Sequence, residues 1–159
     1  MKTFIIAFTM ILVGYASQLY AQESTFCKSI DKYIGLAPTS FEGIKGPLDA
    51  VESKQLGEEV FNTTEILEGF TIGRIAPRMI GTKKELSFWA TFKEQAKADA
   101  LLAKVKSELD ACLKGREGFF IGEFNGQHSY DGPDIHFVLQ IHKSFDKVLI
   151  YKVALKITG

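Results

Sequence analysis

The chain has 159 residues, with 19 Lys and Arg balanced by 19 Asp and Glu, and two cysteines. That length is enough for one domain with a real hydrophobic core. A balanced charge without any run of lysines or arginines leaves no electrostatic footprint for nucleic acid, so no such partner is expected.

Residues 1–21 read as a leader distinct from the folded domain. Lys2 supplies a positive start, Phe4, Ile5, Ile6, Phe8, Ile11, Leu12 and Val13 form an apolar run, and small residues follow at Ala16, Ser17 and Ala21. This is the pattern of a secretory signal peptide, cut after Ala21 or after Ala16. The run is shorter than the ~20 residues that span a bilayer, which argues against a retained anchor. Residues 22–159 are then expected to be a single exported domain, secreted or periplasmic, with no membrane span after cleavage.

Residues 22–37 predict a short helix. Phe26, Cys27, Ile30, Tyr33, Ile34 and Ala37 recur at helical spacing, Ser24 or Thr25 supplies the N-cap, and Pro38 ends the segment. Residues 39–57 read as a loop punctuated by Gly43, Gly46, Pro47 and Gly57, with Phe41 and Ile44 as anchors to the core. Lacking periodicity, this stretch is either a candidate binding loop or an ordinary connection, the plainer reading.

Strand signals begin at Val60. Residues 60–67 and 70–75 are expected to pair as a hairpin turning at Glu68 and Gly69, and residues 76–84 form a loop with Pro77 and Gly81. Residues 85–93 alternate, with Leu86, Phe88, Ala90 and Phe92 on one face and Ser87, Trp89, Thr91 and Lys93 on the other.

Residues 94–115 carry the strongest helical signal in the chain. Ala98, Leu101, Leu102, Val105, Leu109, Cys112 and Leu113 form an apolar stripe, and Gly115 stands where a left-handed C-terminal residue is favoured. Cys27 and Cys112 are expected to form a disulfide, since an isolated pair in an exported chain most simply oxidises. That bond would staple the first helix onto the stripe of the long one. Two free buried thiols, or a metal site completed by histidines, are the alternatives.

Residues 119–124 read as a strand, Asn125-Gly126 as a tight turn and Asp131-Gly132-Pro133-Asp134 as a second turn, with residues 127–130 left unassigned between them. Residues 135–143 send Ile135, Phe137, Leu139 and Ile141 inward and His136, Gln140 and His142 outward. Residues 148–157 alternate likewise, with Lys152 and Lys156 outward, and close a C-terminal hairpin. The expected fold is therefore a two-layer α+β domain in the order α-β-β-β-α-β-β-β. It has a mostly antiparallel sheet of five to six strands, two helices on one face and a solvated opposite face.

The one dense group of chemically versatile side chains is His128, Tyr130, Asp131, Asp134 and His136. Of these, His128, Asp131, Asp134 and His136 are candidate ligand or metal-binding residues, because imidazoles and carboxylates hold zinc or pair as a base with its orienting partner. Their spacing across a turn and a strand, and the plain role of Asp131 and Asp134 as turn formers, favour surface histidines instead. His142 lies six residues from His136, roughly 20 Å along a strand, too far to share one ion. With no Gly-x-Ser-x-Gly elbow, phosphate loop, dinucleotide-binding glycine pattern or His-Glu-x-x-His segment, no catalytic residue and no cofactor is assigned.

Trp89, Gln140 and His142 fall on the outward face and form a candidate contact surface, with Trp89 either exposed as an anchor or covered by residues 39–57. The leading expectation is a small exported, non-catalytic binding domain whose partner is a protein or a small apolar ligand. A hydrolase or metal-dependent enzyme using the His128, Asp131, Asp134 and His136 group is one alternative. An inhibitor or immunity-type partner of an exported enzyme is the other.

Overall fold

A computed structural model describes residues 24–77, 84–145 and 148–159. Its elements are helix α1 (Thr25–Leu36), two single 3-10 turns (Ala37–Thr39 and Glu42–Ile44), strand β1 (Lys45–Leu48) and helix α2 (Ala50–Leu56). Strands β2 (Phe61–Thr63), β3 (Ile72–Pro77) and β4 (Lys84–Phe92) lead into the long helix α3 (Gln95–Leu113). Strands β5 (Phe120–Phe124), β6 (Gln127–Asp131), β7 (His136–Phe145) and β8 (Leu149–Thr158) complete the chain.

All eight strands form one antiparallel sheet in the order β1-β2-β3-β4-β8-β7-β6-β5. The register sets two faces. Ile75, Leu86, Ile157, Phe137 and Tyr130 lie in one cross-strand row, and Phe88, Leu155, Leu139 and His128 in the next row on the same face. Helices α1 and α3 cover that face. Ser24 caps α1 by accepting a hydrogen bond from the Cys27 amide at 3.1 Å, and the helix buries Phe26, Ile30 and Tyr33. The Tyr33 ring packs 5.3 Å from that of Phe88 on β4. α3 buries Ala98, Val105, Leu109 and Leu113 along its stripe, each large apolar side chain contributing ~1.5–3 kcal/mol by leaving water. Gly115 follows with φ of 80°, ending the helix as its position predicts.

The Cys27–Cys112 disulfide joins α1 to the last turn of α3, with Cα atoms 5.3 Å apart. α1 and α3 thus form the stapled pair expected from the cysteine positions. The buried stripe of α1 is centred on Phe26, Ile30 and Tyr33, leaving Cys27 and Ile34 at its flank.

The α+β class holds, but the described residues contain eight strands and three helices. Two departures account for the added elements, and a third shortens an expected hairpin. Residues 39–57 are not a continuous loop: they contain β1, which pairs with β2, and α2, capped by Asp49 through a 3.0 Å bond from the Glu52 amide. The hairpin expected over residues 60–75 is shorter, with Phe61 paired to Ile75 and Asn62 to Arg74. Its connection crosses onto the helical layer, burying Leu67 and Phe70 in the core, because these side chains gain more from that core than from extending two short strands. Finally, residues 127–131 are a strand. Asn125 (φ 50°) and Gly126 (φ 75°) are both left-handed, as a two-residue hairpin turn requires, and they pair β6 with β5.

The opposite face of the sheet is only partly solvated. There α2, which buries no side chain of its own, is held over β3 by ion pairs from Arg74. The leader expected at residues 1–21 lies outside the described residues. Among the described residues no helix is long and apolar enough to cross a membrane.

Candidate functional site

The row beginning with Arg74 and Ser87 continues to Lys156, while Trp89 aligns with Ala154 and Thr91 with Lys152, all on the face turned away from α1 and α3. Between this face and α2 lies a cleft of about 470 Å³, within the range of small-molecule sites. Trp89 and Ala154 line it from the sheet, Leu56 and Glu52 from α2, and Lys152 and His142 from β8 and β7.

Arg74 builds the cleft. Its guanidinium reaches Asp49 Oδ2 at 2.8 Å and Glu52 Oε2 at 2.9 Å, so one planar fork grips the cap and the first turn of α2. The same group lies 5.0 Å from the Trp89 ring, and Lys152 Nζ lies 4.2 Å from it. Two cations therefore flank the half-buried indole, at a separation where ring quadrupole and charge attract. Arg74 Nε is buried without a hydrogen-bond partner.

The cations of the cleft differ in how they are compensated. Arg74 has two carboxylates, and Lys156 Nζ has Glu85 Oε1 at 3.3 Å. Lys152 makes no ion pair among the described residues. Burial, then the charge of Arg74, then that of Lys156, hold its ammonium below the ordinary lysine value, with Glu52 partly offsetting them. His142, exposed at the rim, is held below the ordinary imidazole value by partial desolvation and then by Lys156 and Lys152.

The contact residues expected from the sequence are distributed unevenly. Trp89 and His142 line the cleft; Gln140 shares the row of Trp89, two strands further on past Ala154, outside the lining. Trp89 is half-buried and shares the cavity lining with residues of α2. The His and Asp group separates. His136 Nδ1 meets Asp131 Oδ1 across the β6–β7 pairing, and Asp134 and His136 line a small recess of about 210 Å³ beside that turn. His128 points to the helical face, buried, with Nδ1 3.2 Å from Glu123 Oε2. Consecutive strand residues alternate in direction, so His128 and Asp131 on β6 cannot turn the same way. Among the described residues no group of three or more His, Cys, Asp or Glu side chains is placed to hold a metal ion.

Arg74, Glu52 and Lys152 were not singled out by the sequence. A lone arginine in a strand has the pattern of a solvated side chain. The available signal was Asp49 followed three residues later by Glu52 and then by Gly57, the start and stop marks of a short helix. With α2 recognised, an arginine on the outward face would have had carboxylates to meet.

Fold and cleft together define a two-layer α+β protein with a half-covered sheet face. Comparison with protein-family models, with curated proteins and with solved structures finds no match for the chain.

Proposed function

We propose that the chain is an exported binding domain that takes a small ligand in the cleft between α2 and the outer face of the sheet. The observation that carries this reading is the cleft itself: a concave volume of about 470 Å³ with a half-buried tryptophan in its wall and a short helix as its cover. An ordinary solvated sheet face has neither. Apolar contact from Leu56, Val60, Ala76, Ala154 and Trp89, with a few charged groups among them, is the composition of small-molecule sites. Export is supported by the disulfide, which persists in oxidising compartments, and by the leader pattern of residues 1–21.

Trp89 is the sole tryptophan of the chain, so its emission reports on the cleft alone. Titration with the neutral apolar probe N-phenyl-1-naphthylamine is expected to quench that emission saturably. Ala76→Phe, which places a ring in the cavity, is expected to abolish the effect in a protein with an unchanged circular dichroism spectrum. No saturable quenching in the wild type, or quenching unaltered by Ala76→Phe, would overturn the reading.

A further inference from the structure

We propose that the ligand of the cleft is a small organic anion with an apolar body, its acidic group seated against the Lys152 ammonium and its body against Leu56, Ala154 and Trp89. This rests on the cleft being the binding site. The argument is one of charge left over. Three cationic side chains line the cavity, and both carboxylates that line it are engaged: Glu52 by Arg74 and Glu85 by Lys156. Asp49 stands behind Arg74 as its second partner. Lys152 alone makes no ion pair among the described residues; Glu52, engaged by Arg74, acts on it only through space, and the Trp89 π face lies 4.2 Å away.

A half-buried ammonium without a paired carboxylate keeps much of its desolvation cost uncompensated. A bound carboxylate, sulfonate or phosphate would supply the missing counter-charge. Arg74 Nε–H, buried without an acceptor in the same wall, is a second donor that a small shift of the guanidinium would turn to the ligand. A cationic ligand would meet Arg74, Lys152 and Lys156 with no free carboxylate to answer it. A neutral one would leave Lys152 as it is. The apolar requirement comes from Leu56, which is exposed on α2 and lines the cavity, and from Ala154 and Trp89, which line it from the sheet.

The test compares two probes of one shape, 8-anilinonaphthalene-1-sulfonate and the neutral N-phenyl-1-naphthylamine, by quenching of Trp89. The sulfonate is expected to bind at least about tenfold more tightly than the neutral probe, as for a charge-assisted contact in a partly dry site. Lys152→Met, which keeps the length of the side chain, is expected to erase that preference while leaving the neutral probe unchanged. Lys93→Met, at an exposed position outside the cleft lining, is expected to change neither. Equal binding of both probes, or a sulfonate preference that survives Lys152→Met, would overturn the anion assignment and leave the cleft reading intact. Failure of the neutral probe to bind at all would overturn both.

Discussion

Tyr130 Oη donates a hydrogen bond to Asp110 Oδ1 at 2.8 Å, tying β6 in the sheet to the C-terminal half of α3. The other carboxylate oxygen of Asp110 accepts from Lys106 Nζ at 2.8 Å. Burial alone would raise the Asp110 carboxyl, but the bonds from Lys106 and Tyr130 and the charges of Lys106 and Lys114 outweigh it and hold the group below the usual carboxylate range. Tyr130→Phe is expected to destabilise the protein by ~1.5 kcal/mol, the value of a hydrogen bond to a charged group. A carboxyl depressed on folding contributes stability above its unfolded pKa of ~3.9 and loses it as the pH falls through the folded value. The gap between wild type and Tyr130→Phe in urea midpoints should therefore be widest near neutrality and close in acid below pH ~4.

On the alkaline side two buried phenols are sensitive: Tyr130, raised by burial and then by its bond to Asp110, and Tyr33. Burial, and after it the charge of Glu65, push the Tyr33 hydroxyl up to about 12. The folded state keeps the proton that the unfolded chain loses at ~10, so stability falls as the pH rises from ~10 towards the folded value. Tyr33→Phe should make that part of a stability-against-pH curve measured by denaturant titration shallower, with Tyr130 supplying the slope that remains, while leaving the slope around neutrality unchanged.

The disulfide closes 85 residues of sequence between Cys27 and Cys112. Chain-entropy reasoning values such a loop at roughly 4–5 kcal/mol. The Cys27→Ala, Cys112→Ala double variant is expected to lose a large part of that, and wild type in excess reductant should shift its midpoint similarly. Native protein should resist thiol alkylation until it is reduced.

Arg74→Met keeps an aliphatic stem against Trp89 and removes both ion pairs to α2. Because α2 buries no side chain, its attachment is polar, and the loss should be local. Amide exchange of residues 50–56 is expected to accelerate at least about tenfold, with the amides of β4 and β8 unchanged. Unchanged exchange of residues 50–56 would mean that α2 is held by other contacts, such as those of Ser53 with Val60, and equal acceleration throughout the sheet would mean that the loss is not local.

Gly73 faces Phe88 across the β3–β4 pairing. A Cβ there would come within 2.2 Å of Thr63 Oγ1 and 2.8 Å of the Phe88 ring. Gly73→Ala is expected to cost ~1–3 kcal/mol by overpacking, read as a lowered thermal midpoint. Gly115→Ala, with open space around it but φ of 80°, should cost less, ~1 kcal/mol of backbone strain.

What the sequence made legible was whatever a period could encode. The alternation of Leu86, Phe88 and Ala90, of Phe137, Leu139 and Ile141, and of Tyr151, Val153 and Leu155 separates the two faces of the sheet correctly, and the α3 stripe marks the helical layer. The elements that escaped have no period to show. β1 is four residues including Gly46 and Pro47, formed only because β2 is there to pair with it. α2 exposes Val51 and Leu56 and buries nothing, so no apolar stripe announces it. Of the cleft, Trp89 and His142 could be placed on a face, but the cover over them depends on a tertiary contact from Arg74 that no local pattern records. For the His128 and His136 group the spacing already argued against convergence, and strand alternation sends the two imidazoles to opposite faces; what the spacing did not reveal is that His128 is buried and only His136 lies towards the surface.

The bond between Cys27 and Cys112 also divides the covalent structure. Everything from α1 through α3, including α2 and its cleft wall, becomes a closed ring, and β5–β8 become a linear tail leaving it. The sheet joins the two at one seam, where β4, the last strand of the ring, lies against β8, the last strand of the tail. A single protease cut within the ring would leave both pieces on one molecule and pass unseen on a gel without reductant. A cut in the tail would release a fragment held only by its strand pairing and core packing.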